Sequence, residues 1–458
     1  MRASHRIPIP EPSLESLLWT RDLPREHGFE PLRVEGVLPA DLAGTLYRNG
    51  PGQFGQFGGR YAHPFEADGA GTAIRIAGGK AQGASRVHAS AGLLEERAAG
   101  RLLHGTTASW PRRVSDALRG RVKNTANTSV MVWQGRVLAL MEAAKPTEID
   151  PGDLTTIGET DLGVLRSAFS AHPHRVAARR AVYNFGLEYG RQTRLHLYEL
   201  PDEGAARHLG AVDLPGPPML HDFIATESHL VFFVSPVRVE ILRMLLQLGD
   251  FEQLFRWRPE HGTEVICVPI DRPSEPVRFT VDPFYQWHFA NAFDRGKELV
   301  VDHVRYAGFD SFHDIGAIGA GAASKVLGEV GRLHRAVIDL DARTLRSEPL
   351  SDRTCEFPTI TPGEEGREHA LTYVMFGAGI GSIDARGQVV EHHLPDDEKA
   401  TEPLRAGDHV LTLCHTRDNA FVAVYDARRI PDGPVAKVWL DHFVPITFHG
   451  TFHSSLPE

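Results

Sequence analysis

"RAVYNFGLEY" (180–189) and "TRLHLYEL" (193–200) follow one another across a three-residue break, and both are short runs rich in β-branched and aromatic residues. Such runs read as strands rather than helices. The same texture recurs in "GRVLALMEAA" (135–144), "HLVFFVS" (229–235), "TEVICVPI" (263–270), "KELVVDHVRY" (297–306), "HRAVIDL" (334–340), "HVLTLCHT" (409–416) and "NAFVAVYDA" (419–427). The 44 glycines and 31 prolines lie along the whole chain at turn-like spacing, which is the punctuation of many short strands. Few long amphipathic helices intervene, so alternating βαβ units are disfavoured and an all-β sandwich, barrel or propeller is expected. At 458 residues a propeller of several four-stranded blades fits best. No WD or kelch signature repeats, so the blades cannot be counted from the chain alone. No linker divides it, and a single domain over 1–458 with an N-terminal arm at 1–30 is expected.

Composition removes several classes of function. Net charge is −10 with no Lys/Arg block, which lacks the footprint of a nucleic-acid binder. Cys267, Cys355 and Cys414 are widely spaced, so neither a disulfide framework nor a zinc ribbon is indicated, and a reducing cytoplasm is the expected location. No apolar run reaches the roughly 18 residues that span a bilayer. "GAIGAGAASK" (316–325) places Lys325 after Ser324, which is the wrong order for a phosphate loop, and reads as a Gly/Ala loop. "GQFGQFGG" (52–59) reads as a surface turn. Neither a G-x-S-x-G elbow nor H-E-x-x-H is present, so serine-hydrolase and zincin chemistry have no local support.

Among 24 histidines, four sit beside apolar or turn residues: His172 in "SAHPH", His221 in "MLHDF", His288 in "QWHFANAF" and His449 in "ITFHG". Any one of them fits a core position, but four from distant segments could converge on one axis if each came from a different blade. An all-imidazole cluster suits iron, zinc, copper or nickel. His392, His393 and His415 neighbour polar residues and read as surface. Metal-bound imidazoles usually donate their second N–H to a carboxylate. Glu142 in "LALMEAAKP", Glu356 in "CEFPTITP" and Glu402 in "ATEPL" are carboxylates in apolar company, where an unpaired charge is costly.

These contexts together resemble the carotenoid cleavage oxygenase family, and most closely its bacterial apocarotenoid oxygenases. "LAGTLYRNGPG", "HPFEADG", "VKNTANTS", "VLALMEAAKP", "IDPGDLTTIG", "SAHP", "HDFIATE", "NAFD", "CEFP" and "FHG" occur in the family's order over nearly the whole chain. The resemblance implies a seven-bladed β-propeller, with loops and short helices forming a cap over the metal-bearing face. It implies iron(II), Fe(2+), held by His172, His221, His288 and His449, with Glu142, Glu356 and Glu402 behind some of those rings. His172 is then the ligand of its segment and His174 is structural or solvent-facing; His449 is preferred over His453. The reaction implied is addition of dioxygen across a carbon–carbon double bond of a hydrophobic conjugated alkene, an apocarotenoid or carotenoid, giving two carbonyl products. Met141, Met219, Trp287, Phe289 and Phe357, beside the ligands and carboxylates, are the expected pocket walls.

The apolar stretch 236–257, with Ile241, Leu242, Met244, Leu245, Leu246 and Leu248, reads either as a helix covering the β structure or as a patch touching a membrane peripherally or an oily substrate. Family members carry such a patch between the second and third ligands. The family's stilbene-cleaving branch binds its phenol through a tyrosine and a lysine. Lys123 matches that lysine, but Gly92 stands near the tyrosine's place. Cleavage of a phenolic stilbene or phenylpropene is therefore the alternative, and a catalytically silent lipid- or protein-binding propeller is the alternative of another class. "HPFEADGAG" and Asp294 in "NAFD" depart from the family pattern without touching a proposed ligand.

Overall fold

A computed structural model describes residues 12–454 apart from 120, 242, 244–250, 320–329 and 378. Seven antiparallel sheets form the seven blades of a propeller. Blades 2 to 6 are consecutive four-stranded meanders, led from the axis outward by Ser129–Trp133, His174–Val176, Ile224–Ala225, Tyr285–Arg295 and Glu356–Thr359. Blade 7 runs inward to outward from Lys399–Ala400 and Leu404–Ala406 through His409–His415, Ala420–Asp426 and Ala436–Trp439.

The ring closes twice. Arg33–Gly36 adds the outer strand of blade 7 by pairing with Ala436–Trp439. At blade 1 the last strand, His449–Ser454, pairs with Gly44–Gln53 in a register that sets His449 opposite Asn49. Of the expected N-terminal arm, 1–11 lie outside the described residues; Leu14–Leu18 is a short helix capped by Ser13, and His27–Pro31 pairs with Lys80–Val87 at the outer edge of blade 1.

Continuous apolar runs make strands here because both faces of a blade are covered. Within Ala420–Asp426, Ala420, Val422 and Val424 face blade 1, whereas Phe421, Ala423 and Tyr425 face blade 6. The stretch 180–200 behaves alike: Tyr183, Phe185, Leu195 and Leu197 pack against blade 4, and Tyr198 and Leu200 against blade 2. One apolar cluster fills each of the seven seams between neighbouring blades. The free cysteines are buried in three of these seams.

A further cluster caps one face of the ring. It joins Leu18 of the first helix and Trp19 just after it, Phe309, Phe312, Ile315 and Ile318 around the helix Asp310–Gly319, and Trp287, Phe357 and Phe448 of the ring. Residues 316–319 of the expected Gly/Ala loop are thus helical, because Ile315 and Ile318 bury against the cap; 320–325 lie outside the described residues. In 236–257, Val237–Val239 pairs with Phe255–Trp257 and Phe251–Leu254 is a single 3-10 turn. Leu242, Met244, Leu245, Leu246 and Leu248 lie outside the described residues. No helix among the described residues is long and apolar enough to cross a membrane.

Candidate metal centre

Each blade contributes one residue to the axis. His449 comes from blade 1, Glu142 from the turn after Arg136–Leu140 of blade 2, and His172 from the loop entering blade 3. His221 precedes the inner strand of blade 4, His288 lies in that of blade 5, Glu356 opens that of blade 6, and Glu402 sits in the break between the two inner strands of blade 7. Pro173 separates His172 from the ladder that starts at His174, so the first histidine leaves the sheet while the second pairs with Tyr183.

The four imidazoles meet through their Nε2 edges. His288 Nε2 stands 3.3 Å from His221 Nε2 and 3.1 Å from His449 Nε2. The His172 ring is 4.2 Å from that of His221 and 4.8 Å from that of His449, between centroids. His172 Nε2 is buried with no hydrogen-bond partner. Ligand nitrogens of His172, His288 and His449 all lie within 4.8 Å of one another. Nitrogens about 2 Å from a shared ion, at right angles to one another, would stand roughly 3 Å apart, so the spacing fits one metal ion.

Behind three of the rings stands a carboxylate. His221 Nδ1 contacts Glu142 Oε1, His288 Nδ1 lies 2.5 Å from Glu356 Oε2, and His449 Nδ1 lies 2.9 Å from Glu402 Oε1. An Nδ1–H donated to a carboxylate leaves the Nε2 lone pair free, which is the tautomer that binds a metal. Glu356 Oε1 also accepts from the Tyr306 hydroxyl at 2.8 Å. Glu402 Oε2 accepts from the buried Arg48 guanidinium and from Gly450 N–H, each at 2.8 Å. Among the described residues His172 Nδ1 has no such carboxylate; its backbone N–H donates to Ser170 Oγ.

Burial, then the neighbouring imidazoles, holds His172 well below the ordinary histidine range. Burial also lowers His449, against the pull of Glu402. At His288 burial acts downward too, but Glu356 together with Asp222 and Glu402 outweighs it and the ring is held above its usual value. Burial raises Glu402, yet His449 and Arg48 more than compensate and keep it ionised below the usual carboxylate range.

Of the expected pocket walls, Trp287 stands edge-on to His221 at 4.7 Å, Phe357 stacks on His288 at 5.0 Å, and Met219 joins them in the cap cluster. Met141 accepts through its sulfur from Thr125 N–H. Phe289 packs instead with Phe233 and His303 in the seam between blades 4 and 5. The ladder is irregular on both sides of Phe289, so plain alternation from His288 does not decide its direction. Phe357 adopts a left-handed φ of 52°, a costly conformation for an aromatic residue, beside Glu356. A cavity reaches from Phe357 and Phe448 past Trp19 and Leu18 to Lys399 and Thr401 between blades 6 and 7.

One sequence reading changes. His415 is buried, not surface, because the closing segment covers it and Val444 O faces its Nδ1 at 3.0 Å. His174 reaches Asp222 Oδ1 at 2.8 Å. The Lys123 side chain is covered, and its ammonium already meets Tyr61, Asp68 and Glu96 at 2.6 to 2.8 Å. A Cβ on Gly92 would lie 2.6 Å from Lys123 Cγ, so no larger side chain fits beside it without displacement. Reasoning from sequence missed Arg48 and Asp222 altogether.

Against known proteins, the family model described as retinal pigment epithelial membrane protein matches residues 21–454. Apocarotenoid-15,15'-oxygenase of Synechocystis is 30% identical, with 94% of each chain covered. A carotenoid cleavage oxygenase of Mycobacterium tuberculosis is 26% identical over 92% of this chain and 93% of its own. The crystal structure of cobalt-substituted Synechocystis apocarotenoid oxygenase superposes with a TM-score of 0.86 at 26% identity, covering 96% of this chain and 98% of that one.

Proposed function

The chain belongs to the carotenoid cleavage oxygenase family, and on that premise we propose that it is an iron(II)-dependent dioxygenase cleaving one carbon–carbon double bond of an apocarotenoid to two carbonyl products. The observation that carries the reading is the meeting of four buried imidazoles, one from each of four blades, with three carboxylates behind them. His172, His221, His288 and His449 would hold the ion. Iron(II), when bound, supplies redox chemistry toward dioxygen that a zinc ion or side chains alone do not. One dioxygen and one alkene give two carbonyls, so no proton needs to be moved and no acid–base side chain is required at the reacting bond.

What the protein does is hold and exclude. Glu142, Glu356 and Glu402 fix ring tautomer and direction. Trp287 and Phe357 present aromatic surface beside the imidazoles, and the cap made by Trp19, Phe65, Phe312 and Phe448 keeps the space apolar. Such a wall suits a polyene better than a phenol. The phenol-binding lysine of the alternative reading is engaged here with two carboxylates and Tyr61, which favours the apocarotenoid. Peripheral membrane contact through 236–257 belongs to the same reading, supported by the apolar residues of that stretch.

The test is aerobic incubation of the iron(II)-loaded protein with an apocarotenal and, separately, a hydroxystilbene, with products read by mass spectrometry. Two shorter carbonyl fragments from the apocarotenal are expected, and their masses identify the bond. Products of unchanged carbon number, or fragments from the stilbene alone, overturn the proposal.

A further inference from the structure

Three of the four imidazoles have a carboxylate at Nδ1 and, among the described residues, the fourth, His172, has none, so something else must set where its ring stands relative to the others. Asp222 is an acidic side chain that touches the segment of His172, through His174. It is 1% exposed. Its Oδ1 accepts from Phe223 N–H at 2.8 Å and faces His174 Nε2 at 2.8 Å, while its Oδ2 accepts from Phe289 N–H at 2.9 Å.

Each contact lands next to a metal-binding candidate. His174 lies two residues after His172, across Pro173; Asp222 itself follows His221; Phe289 follows His288. One carboxylate thus joins blades 3, 4 and 5 at the three points where imidazoles leave their strands. Phe289 N–H needs it, because the ladder is irregular on both sides of that residue. Three donors on two oxygens are what a carboxylate accepts; an amide would turn an NH2 toward at least one of those N–H groups.

From this geometry we propose that Asp222 is a positioning residue that sets the mutual placement of His172, His221 and His288, with His174 as its link to the imidazole that lacks a glutamate. The inference rests on the metal-centre reading above. It assigns Asp222 no contact with the ion; it acts through the strands that carry the ligands. It also gives His174 a role.

The test uses metal-free full-length protein titrated with cobalt(II), read by the visible ligand-field bands and by competition with a chelator. Wild type should develop those bands at one equivalent. Asp222→Asn is expected to bind cobalt 10- to 100-fold more weakly, the usual effect of removing a partner behind the ligands, with shifted bands. His174→Ala should shift the bands in the same sense, and His174→Gln, which keeps an N–H donor, should restore them. Asp302→Asn removes an equally buried carboxylate, one held by Arg335 in blade 5, and should lower the melting temperature without changing the bands. Wild-type bands and affinity in Asp222→Asn overturn the proposal. If that variant does not fold, unchanged bands in His174→Ala overturn it instead. Failure of the wild type to bind cobalt refutes the metal centre itself, and is read before any variant is made.

Discussion

Arg48→Met should loosen the ring and the metal site at the same time. Arg48 lies in Gly44–Gln53 of blade 1 and is 1% exposed, yet its guanidinium donates to Glu402 Oε2 at 2.8 Å, Thr401 Oγ1 at 3.1 Å and the Phe448 carbonyl at 3.0 Å. It therefore ties the inner edge of blade 7 to the segment entering the last strand, and holds the carboxylate that holds His449. Methionine keeps much of the volume but leaves Glu402 buried without its cation. Breaking a buried pair in this way costs about 3–5 kcal/mol. An unfolding entropy near 2.1 cal/mol/K per residue amounts to about 1 kcal/mol/K for 458 residues, so the expected fall in Tm is about 3–5 °C. Differential scanning calorimetry of the metal-free protein measures it. The double variant Arg48→Met/Glu402→Gln removes both charges and leaves one oxygen to accept from His449, at the cost of an NH2 beside Gly450 N–H, and should recover part of the loss. If Arg48→Met melts with the wild type, or the double variant is no more stable than the single one, the unpaired charge is not what Arg48 prevents and the reasoning fails.

Glu356→Ala strands the His288 Nδ1–H, the Tyr306 hydroxyl and Phe357 N–H, at about 1–3 kcal/mol per buried group, and should weaken cobalt(II) or iron(II) binding about 10- to 100-fold in a chelator competition; Glu356→Gln should fall between it and the wild type. Lys123→Met leaves Asp68 and Glu96 facing each other in the interior, so chemical denaturation should show a loss of about 3–5 kcal/mol; an unchanged midpoint would mean the cluster is neutral as a whole. His415 is held down to about 3 by burial, so the unfolded chain takes up its proton below the usual 6.5 and the folded one does not. Stability from this group is complete above pH 6.5 and falls by about 1.4 kcal/mol for each pH unit between 6.5 and about 3. His415→Gln should flatten the stability–pH curve over that interval, and an identical slope in both proteins would refute the assignment.

How much of this could be read from the chain follows from the way a propeller buries its strands. In an open sheet, alternation tells which residues face the core. In Ala420–Asp426 both sets are buried, one in each flanking seam, so the run announces a strand but not its faces or its blade. The seven blades came with family resemblance rather than periodicity, for the same reason. The histidines were legible because each sits beside apolar or turn residues rather than in a charged loop, and the family resemblance then gave them their role as ligands. Glu142, Glu356 and Glu402 stood out as carboxylates among apolar neighbours. Asp222, between His221 and Phe223, carries the same signal, a carboxylate with a histidine and a phenylalanine on either side. Arg48 offered it too, as a charge inside a strand buried from Gly44 to Gly52. His415 was misread because polarity of sequence neighbours says nothing about a segment that arrives from 29 residues further on and covers the ring. An isolated charge in apolar surroundings is thus the sequence feature most worth following in this fold. Every seam holds an apolar cluster, so such a charge must find its partner across a seam or at the axis, and that partner then identifies which strands the fold has brought together.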